Sequence, residues 1–145
     1  MMNVNLNYNK KFILYVEDED VQARVFSKII ENEVKNYNYQ VVVFNNGADF
    51  IDLINSKNNN YKIEQFGLIL LDLSMYDFSG FDMLKEAKNK NLKTPIAILS
   101  AREDLLIKKQ TLDFGAKEYF IKGKNLAELD RLRNFIIEAM SGDLK

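Results

Sequence analysis

The sequence predicts an α/β fold: one five-stranded parallel sheet, doubly wound by helices in a (βα)5 arrangement. Three observations predict it. Five short apolar runs recur along the chain, each too short for a helix and suited to a buried strand. Stretches with apolar residues at helical spacing separate them. The two signals alternate to the end of the chain, the pattern of a parallel sheet with right-handed crossovers. The 145 residues suffice for one domain and are too few for two comfortable ones.

Residues 12–16, Phe-Ile-Leu-Tyr-Val, form the first run, which stops at acids. From there Val21, Val25, Ile29 and Val34 recur near helical spacing, so residues 20–36 read as an amphipathic helix with Asp20 as N-cap. Tyr39 to Phe44 is β-branched and aromatic, hence a second strand. Asn45-Asn46-Gly47 signals a turn, and Phe50, Leu53 and Ile54 mark a short second helix. Residues 55–62, with Asn58-Asn59-Asn60, are polar and predict an exposed loop.

Leu68 to Leu71 is the most apolar stretch and reads as the central strand, ending at Asp72. Gly80 precedes a third helix carrying Phe81, Leu84 and Ala87. Pro95 opens a fourth strand through Leu99, ending at Ser100; Pro at a first strand position gives up no interior ladder bond. Glu103 to Phe114 is a fourth helix, stopped by Gly115, with Ser100 a candidate cap. Glu118 to Ile121 is a fifth strand ending at Lys122, and Leu126, Leu129, Leu132, Ile136 and Met140 mark a fifth helix. The expected organisation is a short extension (1–10), one domain (11–141) and a tail (142–145).

Composition narrows the chemistry. Twenty basic and 21 acidic residues leave a net charge of −1, which gives strong nonspecific nucleic-acid binding no support. Without Cys there is no disulfide, thiol nucleophile or thiolate metal site. Without His there is no Ser-His or Cys-His triad and no HExxH zinc site. What remains is carboxylates, hydroxyls, Lys, Tyr and a hard metal. The opening MMNVNLNYNKK lacks the apolar core of a secretory signal, and the longest apolar run, Phe66 to Leu71, is far below the roughly 20 residues that span a bilayer. We therefore expect a soluble, cytoplasmic protein with no membrane association.

The residues of chemical interest share one property. Glu17 and Asp18 end the first strand, Asp72 the third, Ser100 the fourth and Lys122 the fifth. In an open parallel sheet all strand C-termini lie along one edge, and that edge holds the ligand crevice. These residues are therefore expected to meet. Three crowded carboxylates repel, and a divalent cation removes the conflict. All-oxygen ligands suit Mg²⁺ or Mn²⁺ better than zinc. A carboxylate nucleophile, a metal, an ammonium and a hydroxyl together match phosphoryl transfer to Asp.

The segments ILYVEDED (13–20), LILLDLSMYDFSGFDML (68–84), PIAILSA (95–101) and GAKEYFIKG (115–123) resemble the CheY-like receiver domain of two-component response regulators, a flavodoxin/CheY-like fold. The resemblance covers roughly residues 11–140, and all four segments in this order are highly specific. It implies that Asp72 is the phosphoacceptor, that Asp18 binds Mg²⁺ directly, and that Glu17 assists through water. Ser74 would complete the metal site with its backbone carbonyl. Ser100 would move toward the phosphoryl group, Lys122 would ion-pair with it, and Tyr119 would turn inward on activation. Ser74 and Arg102 would border the path of attacking water.

The resemblance further implies a sensor histidine kinase or histidine phosphotransfer protein as phosphodonor, and an effector reached through the face of the fourth helix, fifth strand and fifth helix. A homodimer on that face is one arrangement it allows. With no helix-turn-helix, direct nucleic-acid contact is not expected, and the chain is not expected to be an enzyme beyond self-catalysed phosphoryl transfer and autodephosphorylation. This chain departs from the pattern at Met75-Tyr76, where Met-Pro is usual, at Ser79-Gly80 for Asp-Gly, and at Lys122-Gly123 for Lys-Pro. The last leads us to expect a more mobile loop with a trans bond, since a cis bond without Pro costs about 3 kcal/mol.

Other classes fit less well. A flavin module needs a Gly/Ser/Thr-rich phosphate loop where this chain has acids. A haloacid-dehalogenase-like phosphatase has a second Asp two residues after its nucleophile, where Ser74 stands here. A degenerate receiver acting only as a binding module, and an N-terminal receiver cut from a larger regulator, are the alternatives within the family.

Overall fold

The β-branched and aromatic runs pair into one parallel sheet, and the amphipathic stretches cover it. In this computed structural model, which describes residues 10–144, the strands are β1 (Phe12–Val16), β2 (Gln40–Phe44), β3 (Phe66–Leu71), β4 (Ile96–Ser100) and β5 (Glu118–Ile121). The helices are α1 (Asp20–Glu33), α2 (Gly47–Ile54), α3 (Gly80–Asn89), α4 (Leu105–Asp113) and α5 (Leu126–Met140). A single 3₁₀ turn, Ile63–Gln65, leads into β3. The sheet order is β2-β1-β3-β4-β5 with every pairing parallel. The expected (βα)5 architecture is therefore the observed one.

Alternation along the central strands divides the core in two. Leu14, Val16, Ile69, Leu71 and Ile98 face α2 and α3, packing with Phe50, Leu53, Met83 and Leu84. Ile13, Tyr15, Leu68, Leu70 and Leu99 face the other way, against Ile30 of α1 and Leu132, Phe135 and Ile136 of α5. All six residues of β3 are buried, as a central parallel strand requires. Among the described residues, no helix is long and apolar enough to cross a membrane.

Element boundaries differ from the expectations where capping side chains compete. Glu19, not Asp20, caps α1, accepting from the N–H groups of Val21 and Gln22. That helix also ends earlier, at Glu33. The Asn45-Asn46-Gly47 turn is itself a helix start, since Asn46 accepts from the Asp49 N–H at 2.7 Å. The fourth helix begins at Leu105 because Asp104 caps it, so Ser100 does not. Pro95 lies just before β4. Residues 55–62 are mostly exposed as expected, but Tyr61 packs edge-on against Phe12 and Phe66.

Candidate functional site

Ladder bonds carry on past the strand ends and hold the site backbone. The Glu17 N–H donates to Phe44 O, the Asp72 N–H to Val16 O and the Lys122 N–H to Ser100 O, at 2.8–3.1 Å. The side chains that follow β1, β3, β4 and β5 thus reach one cleft, lined by Glu17, Asp18, Glu19, Gln22, Asp72, Ser74 and Ser100. Glu17, Asp18 and Asp72 each bring a carboxylate oxygen within 4.8 Å of the others.

Lys122 crosses from the far side of the cleft. Its side chain is 3% exposed and its ammonium donates to Glu17, 105 positions away. A second bond goes to Gln22 Oε1 at 2.7 Å, and Asp72 Oδ1 lies 3.6 Å off. Glu17 is fully engaged. The Tyr15 hydroxyl donates to its Oε1 and the Glu19 N–H to its Oε2, both at 3.2 Å. Burial, and then the neighbouring Glu17 carboxylate, push the Tyr15 phenol far above its ordinary value.

Asp72 feels opposing forces. Burial raises its pKa most, Lys122 lowers it, Glu17 raises it, and the N–H groups of Ser74 and Leu73 lower it. The outcome is a carboxyl pushed up to about 6. Asp18 sits at the rim, where its Oδ2 accepts from the Tyr76 N–H at 2.8 Å. A Pro at that position would have no N–H to give. The Tyr76 side chain is 98% exposed.

Ser100 and Tyr119 flank the cleft. Ser100 is buried and its Oγ accepts from the Arg102 N–H at 3.2 Å. Tyr119 is 1% exposed and its hydroxyl donates to the Arg102 carbonyl at 2.8 Å. The ring is therefore buried, tethered by its hydroxyl to the segment between β4 and α4. Burial raises its phenol pKa, and the Ser100 hydroxyl and Arg102 charge pull the other way.

With this geometry in view, a family model decides the family: that of the response regulator receiver domain matches residues 13–133. The chain belongs to the response regulator receiver domain family.

This receiver is 32% identical over 120 residues to an uncharacterized transcriptional regulatory protein, YkoG, of Bacillus subtilis, covering 83% of this chain and 48% of that protein. It is 33% identical over 117 residues to the response regulator ArlR of Staphylococcus epidermidis, covering 81% and 48%. The chain spans about half the length of these curated relatives. Among solved structures, the phosphorylated cyanobacterial phytochrome response regulator RcpA is 26% identical with a TM-score of 0.71, covering 89% of this chain and 92% of that one. The signal receiver domain of a putative LuxO repressor protein from Vibrio parahaemolyticus shares the fold, with a TM-score of 0.73 at 24% identity and 92% coverage of both chains. Receiver domains are signalling modules rather than classical enzymes.

The structure brings Glu17, Asp18, Asp72, Ser74 and Ser100 together in the receiver cleft, with Lys122 beneath and Tyr119 beside it. The bond before Gly123 is trans, and Gly123 itself has φ +66°. Sequence reasoning missed three participants. Gln22 looked like an ordinary polar residue of an amphipathic helix. Tyr15 looked like core. Asp77 looked like loop, yet its carboxylate takes the N–H groups of Gly47 and Ala48 at 2.9 Å and of Phe78 at 2.8 Å. Only the spacing of an acid shortly after Asp72 hinted at it.

The donor set fits a hard divalent cation. All candidate ligands are oxygens, and three carboxylates brought within 4.8 Å of one another repel unless a cation lies among them.

Proposed function

We propose that this receiver is a phosphorylation-dependent switch that accepts a phosphoryl group on Asp72. The observation that carries the reading is the buried Lys122 ammonium, 3.6 Å from Asp72, in a cleft with three clustered carboxylates. Asp18, Asp72 and the Ser74 carbonyl would hold Mg²⁺ (or Mn²⁺), with Glu17 assisting through water, and the bound metal would screen charge on the incoming phosphoryl oxygens. An Asp72 oxygen forms the new bond to phosphorus while the donor's bond to phosphorus breaks, and the leaving group departs with that electron pair. Lys122 offers a fixed positive charge to a phosphoryl oxygen, and Ser100 a hydroxyl to another. The donor is a sensor histidine kinase, a histidine phosphotransfer protein or a small phosphodonor.

The added charge of about −1.5 to −2 biases the contacts of Ser100, Tyr119 and the Arg102 backbone, and through them α4 and β5. Output passes to an effector protein, or a second copy, on the α4-β5-α5 face in the cytoplasm. Exposed Leu105 (82%) and Leu106 (64%) on α4 support a protein-contact role for that face.

Intact-mass spectrometry after incubation with acetyl phosphate tests the reading. We expect one phosphoryl adduct that requires Mg²⁺ and is absent from Asp72→Asn. A folded, metal-binding wild type with no adduct, even in rapid-quench samples, would favour a degenerate binding module instead.

A further inference from the structure

Gln22 stands on the first turn of α1, placed there by its own backbone. Its N–H donates to Glu19 Oε2 at 2.9 Å, and the Glu19 N–H donates to Glu17 Oε2 at 3.2 Å. This chain of bonds ties the first turn of the helix to the cleft floor. The half-buried Gln22 side chain then turns into the cleft, where its Oε1 meets the Lys122 ammonium at 2.7 Å.

An ammonium carries three N–H donors and no acceptor. One donor of Lys122 goes to Glu17 and a second to Gln22. Asp72 Oδ1, at 3.6 Å, is beyond a good hydrogen bond. The rings of Tyr15 and Phe26 wall the ammonium, at 5.9 and 5.4 Å from their centroids, and the side chain is 3% exposed. Two anchors therefore fix the ammonium, and one donor is left on the side of Asp72. A phosphoryl group on Asp72 extends its oxygens beyond the carboxylate, so it can reach that donor without displacing either anchor. Gln22 is suited to this place because it is neutral: it holds a cation without adding negative charge beside an incoming phosphoryl group.

We propose that Gln22 is a positioning residue of the phosphoryl-transfer site, which orients Lys122 so that one N–H is reserved for the phosphoryl group on Asp72. The inference rests on the receiver reading. Without Gln22, the ammonium keeps Glu17 alone and rotates about that contact. The side-chain hydrogen bond of Gln22 goes to Lys122, so its effect is argued to run through Lys122.

The experiment compares wild type with Gln22→Met, which keeps the length of the side chain and removes the acceptor. The first readout is the Lys122 side-chain ammonium resonance in ¹⁵N-labelled protein, recorded without phosphodonor. The second is the rate of adduct formation with acetyl phosphate and Mg²⁺. We expect a sharp, exchange-protected Lys122 signal in wild type that broadens or vanishes in Gln22→Met, with adduct formation slowed about tenfold, as loss of a hydrogen bond to a charged group predicts. Gln22→Glu, which restores an acceptor, should recover the signal. The thermal midpoint serves as the control for folding.

A Lys122 signal as protected in Gln22→Met as in wild type would overturn the proposal. So would a lost signal with adduct formation at the wild-type rate. A wild type that takes no adduct, but whose Lys122 signal depends on Gln22, would sink the proposed phosphoryl transfer to Asp72 and leave the hold on Lys122 supported.

Discussion

Asp72 is a carboxyl kept in an unfavourable place. Burial and Glu17 raise its pKa to about 6 from an ordinary 3.8, against the pull of Lys122. Between those two pH values the folded chain holds a proton that the unfolded chain has released. Stability therefore falls as pH rises through the window and stays lower above it, by about 3 kcal/mol at most. In metal-free buffer we expect Asp72→Asn to raise the urea-unfolding free energy at pH 7.5 by about 2 kcal/mol, and by far less near pH 4. An equal gain at both pH values would show that ionisation of Asp72 is not the cause. The same physics makes Mg²⁺ a stabiliser: it should raise the thermal midpoint of wild type at pH 7.5, and do so only weakly for Asp72→Asn. A proton and the cation compete for one carboxylate, so this metal effect should fade toward pH 5.

At the scale of elements, two loops are held by contacts that no local pattern announces. Asp77, in the loop after β3, serves as a distant N-terminal partner for α2, 30 positions upstream. Burial alone would raise its carboxyl pKa, but the N–H groups of Gly47, Ala48 and Phe78 pull it below the ordinary range. The helix start and the loop after β3 approach so closely that a Cβ on Gly47 would lie 2.8 Å from the Phe78 Cβ. We expect Asp77→Ala to cost about 1–2 kcal/mol in chemical denaturation and to speed hydrogen exchange at Gly47 and Ala48. Unchanged exchange at both amides would remove Asp77 from this role.

Gly123 shapes the other loop. Its φ of +66° lies in the left-handed region, where Pro, locked near −65°, cannot follow. Restoring the residue that receivers commonly carry there should therefore destabilise this one. Gly123→Pro is expected to lower stability by more than about 1 kcal/mol, read by the urea midpoint. A neutral or stabilising result would mean that the loop has no need of positive φ.

At the scale of the molecule, the sheet turns distant sequence into one site, and the proposed switch would be read through α4 and β5. Tyr119 belongs to β5, and Arg102 joins β4 to α4; the phenol binds the Arg102 carbonyl, while Ser100 binds the Arg102 N–H. A phosphoryl group drawing on Ser100 must disturb this set of bonds. We expect backbone amide shifts on phosphorylation to concentrate in residues 100–121, with β2 and α2 little affected, in ¹⁵N–¹H spectra. Uniform small shifts over the whole sheet would argue against a switch on this face.

Much of this was legible in the chain because strand and helix periodicity are local. The runs ending at Asp18, Asp72, Ser100 and Lys122 set the parallel order, and parallel order alone places strand ends on one edge. Boundaries were less legible, since Glu19 and Asp104 compete with Asp20 and Ser100 for the same capping task and sequence does not rank them.

The sequence by itself determined the layer architecture and the residue types gathered at the cleft, because these follow from spacing along the chain, and its four motif segments carried the resemblance to the family. Only the tertiary structure decided which groups Lys122 binds, that Gln22 is among them, that Asp77 holds a helix 30 positions away, and that burial lifts Asp72 to about 6. Those outcomes depend on ångström-scale approach and on the exclusion of water between segments far apart in sequence.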